Sequence, residues 1–288
     1  MKLNLGYKNL KSLSEIEFQD NITELDCSNN QITSLVGINF PLGLELLDCG
    51  SNQITSLIGV NFPQSLKELY CNYNQITSLV GVNFPPSLNI IACNINQITS
   101  LVGVNFPPSL NILGCNINQV TSLVGVNLPQ SLKKLYCYDN QITSLVGVNF
   151  PPGLELLYYG GNQITSLVGV NFPQSLELLD CSGNQITSLD GVNFPQSLEK
   201  LYCSDNQITS LDGINLPLGL KSLCGLNISL SGYKAIRRIQ LRMKRRYKIK
   251  DNASRLIGQV ALKWLYSAPD GHMFKRGWLS INNELETK

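Results

Sequence analysis

LKELYCNYNQITSLVGVNFPPS, residues 66–87, carries the spacing from which the architecture follows. Its apolar residues Leu66, Leu69, Cys71, Ile76 and Leu79 stand at offsets 0, 3, 5, 10 and 13, which fits neither a helix nor a long strand. The stretch is also not unique. NQ[IV]TSL occurs nine times, beginning at Asn30, Asn52, Asn74, Asn96, Asn118, Asn140, Asn162, Asn184 and Asn206, always 22 residues apart. A fixed period of that size marks a repeat architecture, in which each unit buries its apolar side only by stacking on its neighbours.

Composition narrows the class. A hydrophobic content of 43 % is too high for a disordered chain. No apolar run approaches the ~18 residues that span a bilayer. The start, MKLNLGYKNLKSLSEIEF, has no continuous apolar core of a secretory signal, so the expected location is the cytoplasm. Eight of the nine cysteines, Cys27, Cys49, Cys71, Cys93, Cys115, Cys137, Cys181 and Cys203, hold one position of the repeat, where Tyr159 replaces a ninth. Cys224 is out of step. A column of identical interior positions reads as free thiols packed as small hydrophobes, not as disulfides or a metal site.

The spacing resembles the leucine-rich repeat, LxxLxLxxNxL, with cysteine in the third apolar slot. The likeness covers roughly residues 1–225. The style FPxSLxxLxCxxNQITSL is similar to repeats of giant DNA viruses and bacteria; a viral member would act in the host cytoplasm. The resemblance implies an α/β solenoid by family, mostly β here. It would be a right-handed coil with a parallel sheet on its concave face and a short strand around Leu69–Cys71. The nine asparagines that open NQ[IV]TSL would form a structural ladder satisfying backbone groups where the chain turns out of the sheet.

Gly81 and Pro85 in SLVGVNFPPS exclude a helix on the convex side, which is expected to be extended, polyproline-like or 3₁₀. Phe40, Phe62, Phe84, Phe106, Phe150, Phe172 and Phe194 read as a stacked convex core column. The column from Asn39 to Asn215 suggests a second polar ladder. Residues 1–22 form a degenerate N-terminal capping repeat, with Lys8 where asparagine is expected; 23–225 form the solenoid; 226–288 form a basic helical C-terminal cap or tail.

Scaffold positions explain a fold; recognition belongs where the repeats disagree. The outward residues of the strands run Asp26, Asp48, Tyr70, Ala92, Gly114, Tyr136, Tyr158, Asp180 and Tyr202 in one column, and the column two residues earlier carries Ile90 and Ile112. Three residues beyond the first column come Tyr73, Ile95 and Ile117. Apolar residues bordered by tyrosines suit a protein-binding surface. The expected partner-binding set is therefore Tyr70, Tyr73, Ile90, Ile95, Ile112, Ile117, Tyr136, Tyr158, Asp180 and Tyr202. The partner expected is another protein.

Charge divides the chain. Residues 1–225 carry 8 Lys+Arg against 16 Asp+Glu, a net of −8, while residues 226–288 carry 14 against 4, a net of +10. Ile236, Ile239, Met243 and Tyr247 make an apolar stripe on a cationic helix. An alternative function lies there, with Arg237, Arg238, Arg242, Arg245 and Arg246 binding an acidic partner and the solenoid acting as spacer. AIRRIQLRMKRR partly resembles an IQ-type motif for a calmodulin-like protein, although Arg245 replaces the usual glycine. Nucleic acid or an anionic membrane surface would suit the same face. No catalytic constellation stands out: one histidine, His272, is present, and no cofactor or metal site is expected.

Overall fold

The computed structural model describes residues 1–210 and 214–224. Eleven three-residue strands form one sheet in sequence order: β1 (Lys2–Asn4), β2 (Glu24–Asp26), β3 (Leu46–Asp48), β4 (Glu68–Tyr70), β5 (Ile90–Ala92), β6 (Ile112–Gly114), β7 (Lys134–Tyr136), β8 (Leu156–Tyr158), β9 (Leu178–Asp180), β10 (Lys200–Tyr202) and β11 (Ser222–Cys224). All pairings are parallel and the register steps by one repeat, so Leu47 lies beside Leu69 and Leu69 beside Ile91. Identical positions therefore stack about 4.8 Å apart. The degenerate first unit joins the same sheet through Leu3 and Leu25.

Each coil closes around a thin apolar core. The central strand residue, the following cysteine, and the isoleucine and leucine of NQITSL are all sealed from solvent, as Leu69, Cys71, Ile76 and Leu79 illustrate. Eight cysteines are free and buried. Their thiols also bind: Cys93 Sγ donates to Gly114 O at 3.1 Å and Cys181 Sγ to Tyr202 O at 3.2 Å, each reaching the next coil. Burial pushes the Cys115 thiol up to about 12, so the column stays protonated at neutral pH. Tyr159 is fully buried in the same column, its hydroxyl facing the Cys181 thiol.

The asparagine ladder is the polar half of this core. Asn74 Nδ2 donates to Cys71 O of its own coil and to Cys49 O of the preceding one, both at 3.1 Å, while its Oδ1 accepts from Ile54 N at 2.9 Å. The same pattern recurs at Asn52, Asn96, Asn118, Asn140, Asn162 and Asn184. Buried backbone groups must be paired, and one short amide per coil pairs three of them.

The outer wall contains no helix among the described residues. Two β-turns bend it instead. Val60 N donates to Leu57 O at 3.3 Å and Leu66 N to Pro63 O at 3.1 Å, and equivalent bonds recur along the stack. In the first turn Gly59 has φ +80°, the third-position conformation of a type II turn that glycine adopts without strain. Phe62 and Phe84 stack with ring centroids 6.5 Å apart, as the convex column requires. The Asn39 column departs from expectation. Asn39, Asn61, Asn83 and their successors are exposed and form no ladder. Serine takes that role: Ser87 Oγ donates to Gln64 O and Leu66 O of the preceding coil at 2.6 and 2.8 Å. A hydroxyl on the shorter side chain reaches those carbonyls, whereas the outward asparagine has water. No helix among the described residues is long and apolar enough to cross a membrane.

Candidate binding face

Strand alternation sends the middle residue inward and its two neighbours outward. The neighbours are half-buried in most strands, including β4, β5 and β7. Register sets Glu68, Ile90, Ile112 and Lys134 in one row, and Tyr70, Ala92, Gly114 and Tyr136 in the next. Across the second row two coils lack a large side chain between two tyrosines. The result is a notch with Ala92 and Gly114 as its floor and Tyr70 and Tyr136 at its ends. Three strand spacings, roughly 14 Å, separate the two tyrosine backbones.

The third predicted row has an unexpected backbone. Tyr73, Ile95 and Ile117 adopt φ of 54°, 55° and 52°, in the left-handed region. Other coils place Asn29, Ser51, Asp139, Gly161, Gly183 and Asp205 there, mostly residues that tolerate this conformation. A β-branched side chain costs about 1–2 kcal/mol at such a position. Full burial does not offset that cost, because Ile95 is only half-buried and Ile117 is 38 % exposed. Strained residues of this kind cluster where a surface is used.

Acidic side chains split between structure and surface. Asp26, Asp48 and Asp180 each accept a backbone N–H two residues on, from Ser28, Gly50 and Ser182, at 3.0, 2.9 and 3.0 Å. Burial, more than the neighbouring Asp26 charge, raises the Asp48 carboxyl above its ordinary value. Asp180 is 8 % exposed and lies in register between Tyr158 and Tyr202. It serves its own turn and offers little surface. Glu68 accepts the Tyr70 hydroxyl at 2.7 Å. Tyr136 and Tyr158 stack at 4.9 Å, extending the aromatic border beyond the notch. The residues predicted for binding thus fall into one group, Tyr70 to Tyr158, with Asp180 and Tyr202 further along the sheet. The arginines predicted as an alternative site, Arg237 to Arg246, lie outside the described residues.

Two features escaped sequence reasoning. Asn72, Asn94 and Asn116 form a second rail along one side of the notch. Asn72 Oδ1 accepts Asn94 N at 2.9 Å, Asn94 Oδ1 accepts Asn116 N at 2.9 Å, and Asn116 Oδ1 accepts Tyr138 N at 3.0 Å. This rail does for three coils what aspartate does in β2, β3 and β9. Its signal was the loss of aspartate from the preceding strand position in those coils. The rail also explains the floor: a Cβ on Gly114 would stand 3.1 Å from Asn94 Oδ1. The second missed feature is a ridge on the outer wall, Val36, Ile58, Val80, Val102, Val124, Val146 and Val168, each 43–55 % exposed. An apolar residue before each turn glycine from Gly37 to Gly169 was its signal; Asp190 ends the series before Gly191.

Among the described residues no group of three metal-ligating side chains is present. The family model described as BspA type leucine rich repeat region matches in six copies, over residues 5–101 and 70–182. No curated protein matches. Solved structures are similar in fold. The functional domain of InlJ from Listeria monocytogenes, whose description includes a cysteine ladder, is 26 % identical, with TM-score 0.52, over 73 % of this chain and 45 % of that one. The internalin InlF of Listeria monocytogenes is 21 % identical, with TM-score 0.54, over 75 % of this chain and 70 % of that one. The leucine-rich repeat protein FLRT2, solved in an octameric complex with Latrophilin 3 and Unc5D, is 23 % identical, with TM-score 0.59, over 77 % and 72 %. This chain spans less than half the length of the InlJ domain.

Proposed function

Since the chain belongs to the BspA-type leucine-rich repeat family, we propose that it is a non-enzymatic recognition module that binds a protein partner across the centre of its open sheet face. The observation that carries this reading is the pair Ile95 and Ile117, exposed or half-exposed β-branched residues in left-handed backbone beside the Ile90 and Ile112 row. Folding alone favours asparagine or glycine at those two positions. A partner that buries the isoleucines offsets their strain. Tyr70, Tyr73 and Tyr136 border the patch and supply broad contact area at low entropic cost.

Affinity capture from cell extract tests the reading with three full-length baits: wild type, Ile90→Asp/Ile112→Asp, and the outer-wall control Val102→Asp/Val124→Asp. Circular dichroism first establishes that all three are folded. A protein held by wild type and control and lost by the isoleucine variant supports the face. A protein that the isoleucine variant still holds overturns it.

A further inference from the structure

The rows that define the notch continue towards the N-terminal coils with a change of character. Outward positions of β2, β3 and β4 carry Glu24, Asp26, Asp48 and Glu68. Among the described residues one cation approaches this group: Lys2 Nζ lies 3.6 Å from Glu24. Lys67, which precedes β4, is held by Glu45 at 2.8 Å. Asp26 and Asp48 stand side by side in register. Apolar notch and anionic field therefore share one continuous strip, in that order along the stack.

Resting on the reading above, that the sheet face binds a protein, we infer the chemistry of what it binds: a short extended segment with one aliphatic anchor and a basic end. The anchor, a leucine or isoleucine, sits over Ala92 and over the Asn94 side chain that covers Gly114, between the Tyr70 and Tyr136 rings, against Ile90, Ile112 and Ile117. Arginine or lysine residues then lie over Asp48 and Asp26. From β2 to β6 is four strand spacings, about 19 Å, which an extended chain crosses in roughly six residues. Charge complementarity fixes the partner's sign, because opposite potentials steer association and like charges oppose it. The short side chain of half-buried Ala92, between the larger residues of the row, fixes the anchor's place.

The test uses the intact chain and a random linear peptide display library as the probe. Enriched peptides are then synthesised with a fluorophore and titrated against three proteins. Ala92→Tyr fills the notch with a side chain that the same position already carries at Tyr70, Tyr136, Tyr158 and Tyr202. Asp26→Asn/Asp48→Asn/Glu68→Gln removes the charge and keeps one acceptor oxygen at each position, giving up the Asn4 Nδ2 bond to Asp26 Oδ2. Peptides combining an aliphatic residue with arginine or lysine several places away are expected, each variant weakening them by about tenfold or more. Enriched peptides without basic residues, lost in Ala92→Tyr but indifferent to the charge-neutral variant, would overturn the inference and leave the apolar face standing. Peptides indifferent to both variants would overturn both. A library that yields no binder would overturn the peptide inference, while the isoleucine capture experiment still decides the wider reading.

Discussion

Over coils two to eight the outer wall repeats one theme, Val or Ile followed by a left-handed glycine, at 36, 58, 80, 102, 124, 146 and 168. Over the same coils the open face passes from Asp26 and Asp48 through Ala92 and Gly114 to Tyr136 and Tyr158. The difference follows from what each side chain must do for its neighbours. A wall residue sits in a hydrogen-bonded turn beside the next coil: a Cβ added to Gly103 would lie 3.9 Å from Val80 Cγ2. An outward strand residue owes the stack nothing beyond its backbone. Where it does owe something, the sequence shows a linked change, as when the Asn72, Asn94 and Asn116 rail replaces the turn aspartates.

The contrast is open to measurement, beginning with the core that both faces share. The shared core should fail first under alkali. Thiols such as Cys27, Cys71 and Cys115 are raised by burial from an ordinary value of 9.0 to about 12. Between those values the unfolded chain sheds protons that the folded chain keeps, so stability is full below pH 9 and falls as pH rises through this window. Urea titrations at increasing pH should show the midpoint falling above pH 9; an unchanged midpoint would contradict the sealed thiol column.

Two asparagines on one coil make the next comparison. Asn96→Ala orphans the carbonyls of Cys71 and Cys93 and the N–H of Ile76, and should cost about 3 kcal/mol in chemical denaturation. Asn105→Ala, on the exposed column, should change stability by under about 0.5 kcal/mol. Equal losses would mean that the second column is structural after all.

On the wall, Gly103→Ala forces a Cβ into φ +82° and should cost about 1 kcal/mol in the same assay. On the face the sign should reverse. Ile117→Asn places at φ 52° a residue type already used at Asn29, and should gain about 0.5 kcal/mol while weakening peptide binding. A loss of stability there would show that Ile117 is a scaffold residue and not a surface one.

The coil was legible because its period is a direct consequence of stacking: Asn30 to Asn206, the thiol column and the turn glycines each recur where the backbone needs them. The eleven strands follow from the same count. Two kinds of feature were not legible. Invariance alone did not separate a ladder from an exposed column, and Asn39 with its successors was read as the former; the structure gives no reason for asparagine there. Backbone handedness was also hidden, because Ile95 and Ile117 are residue types that ordinarily signal strand and so disguised a left-handed turn. Of the candidate face, the Tyr70 to Tyr136 notch was visible in the alignment of repeats, whereas the filled role of Asp180 emerged only from its bond to Ser182.

The ladder has a direction, and synthesis must respect it. Asn52 supplies the acceptor for Ile32 N and a donor for Cys27 O, both in the coil before its own. Each coil is thus completed by its successor. A chain leaving the ribosome always trails one turn whose amides await a residue not yet translated, so the growing front, never the finished part, is where a chaperone would find exposed backbone.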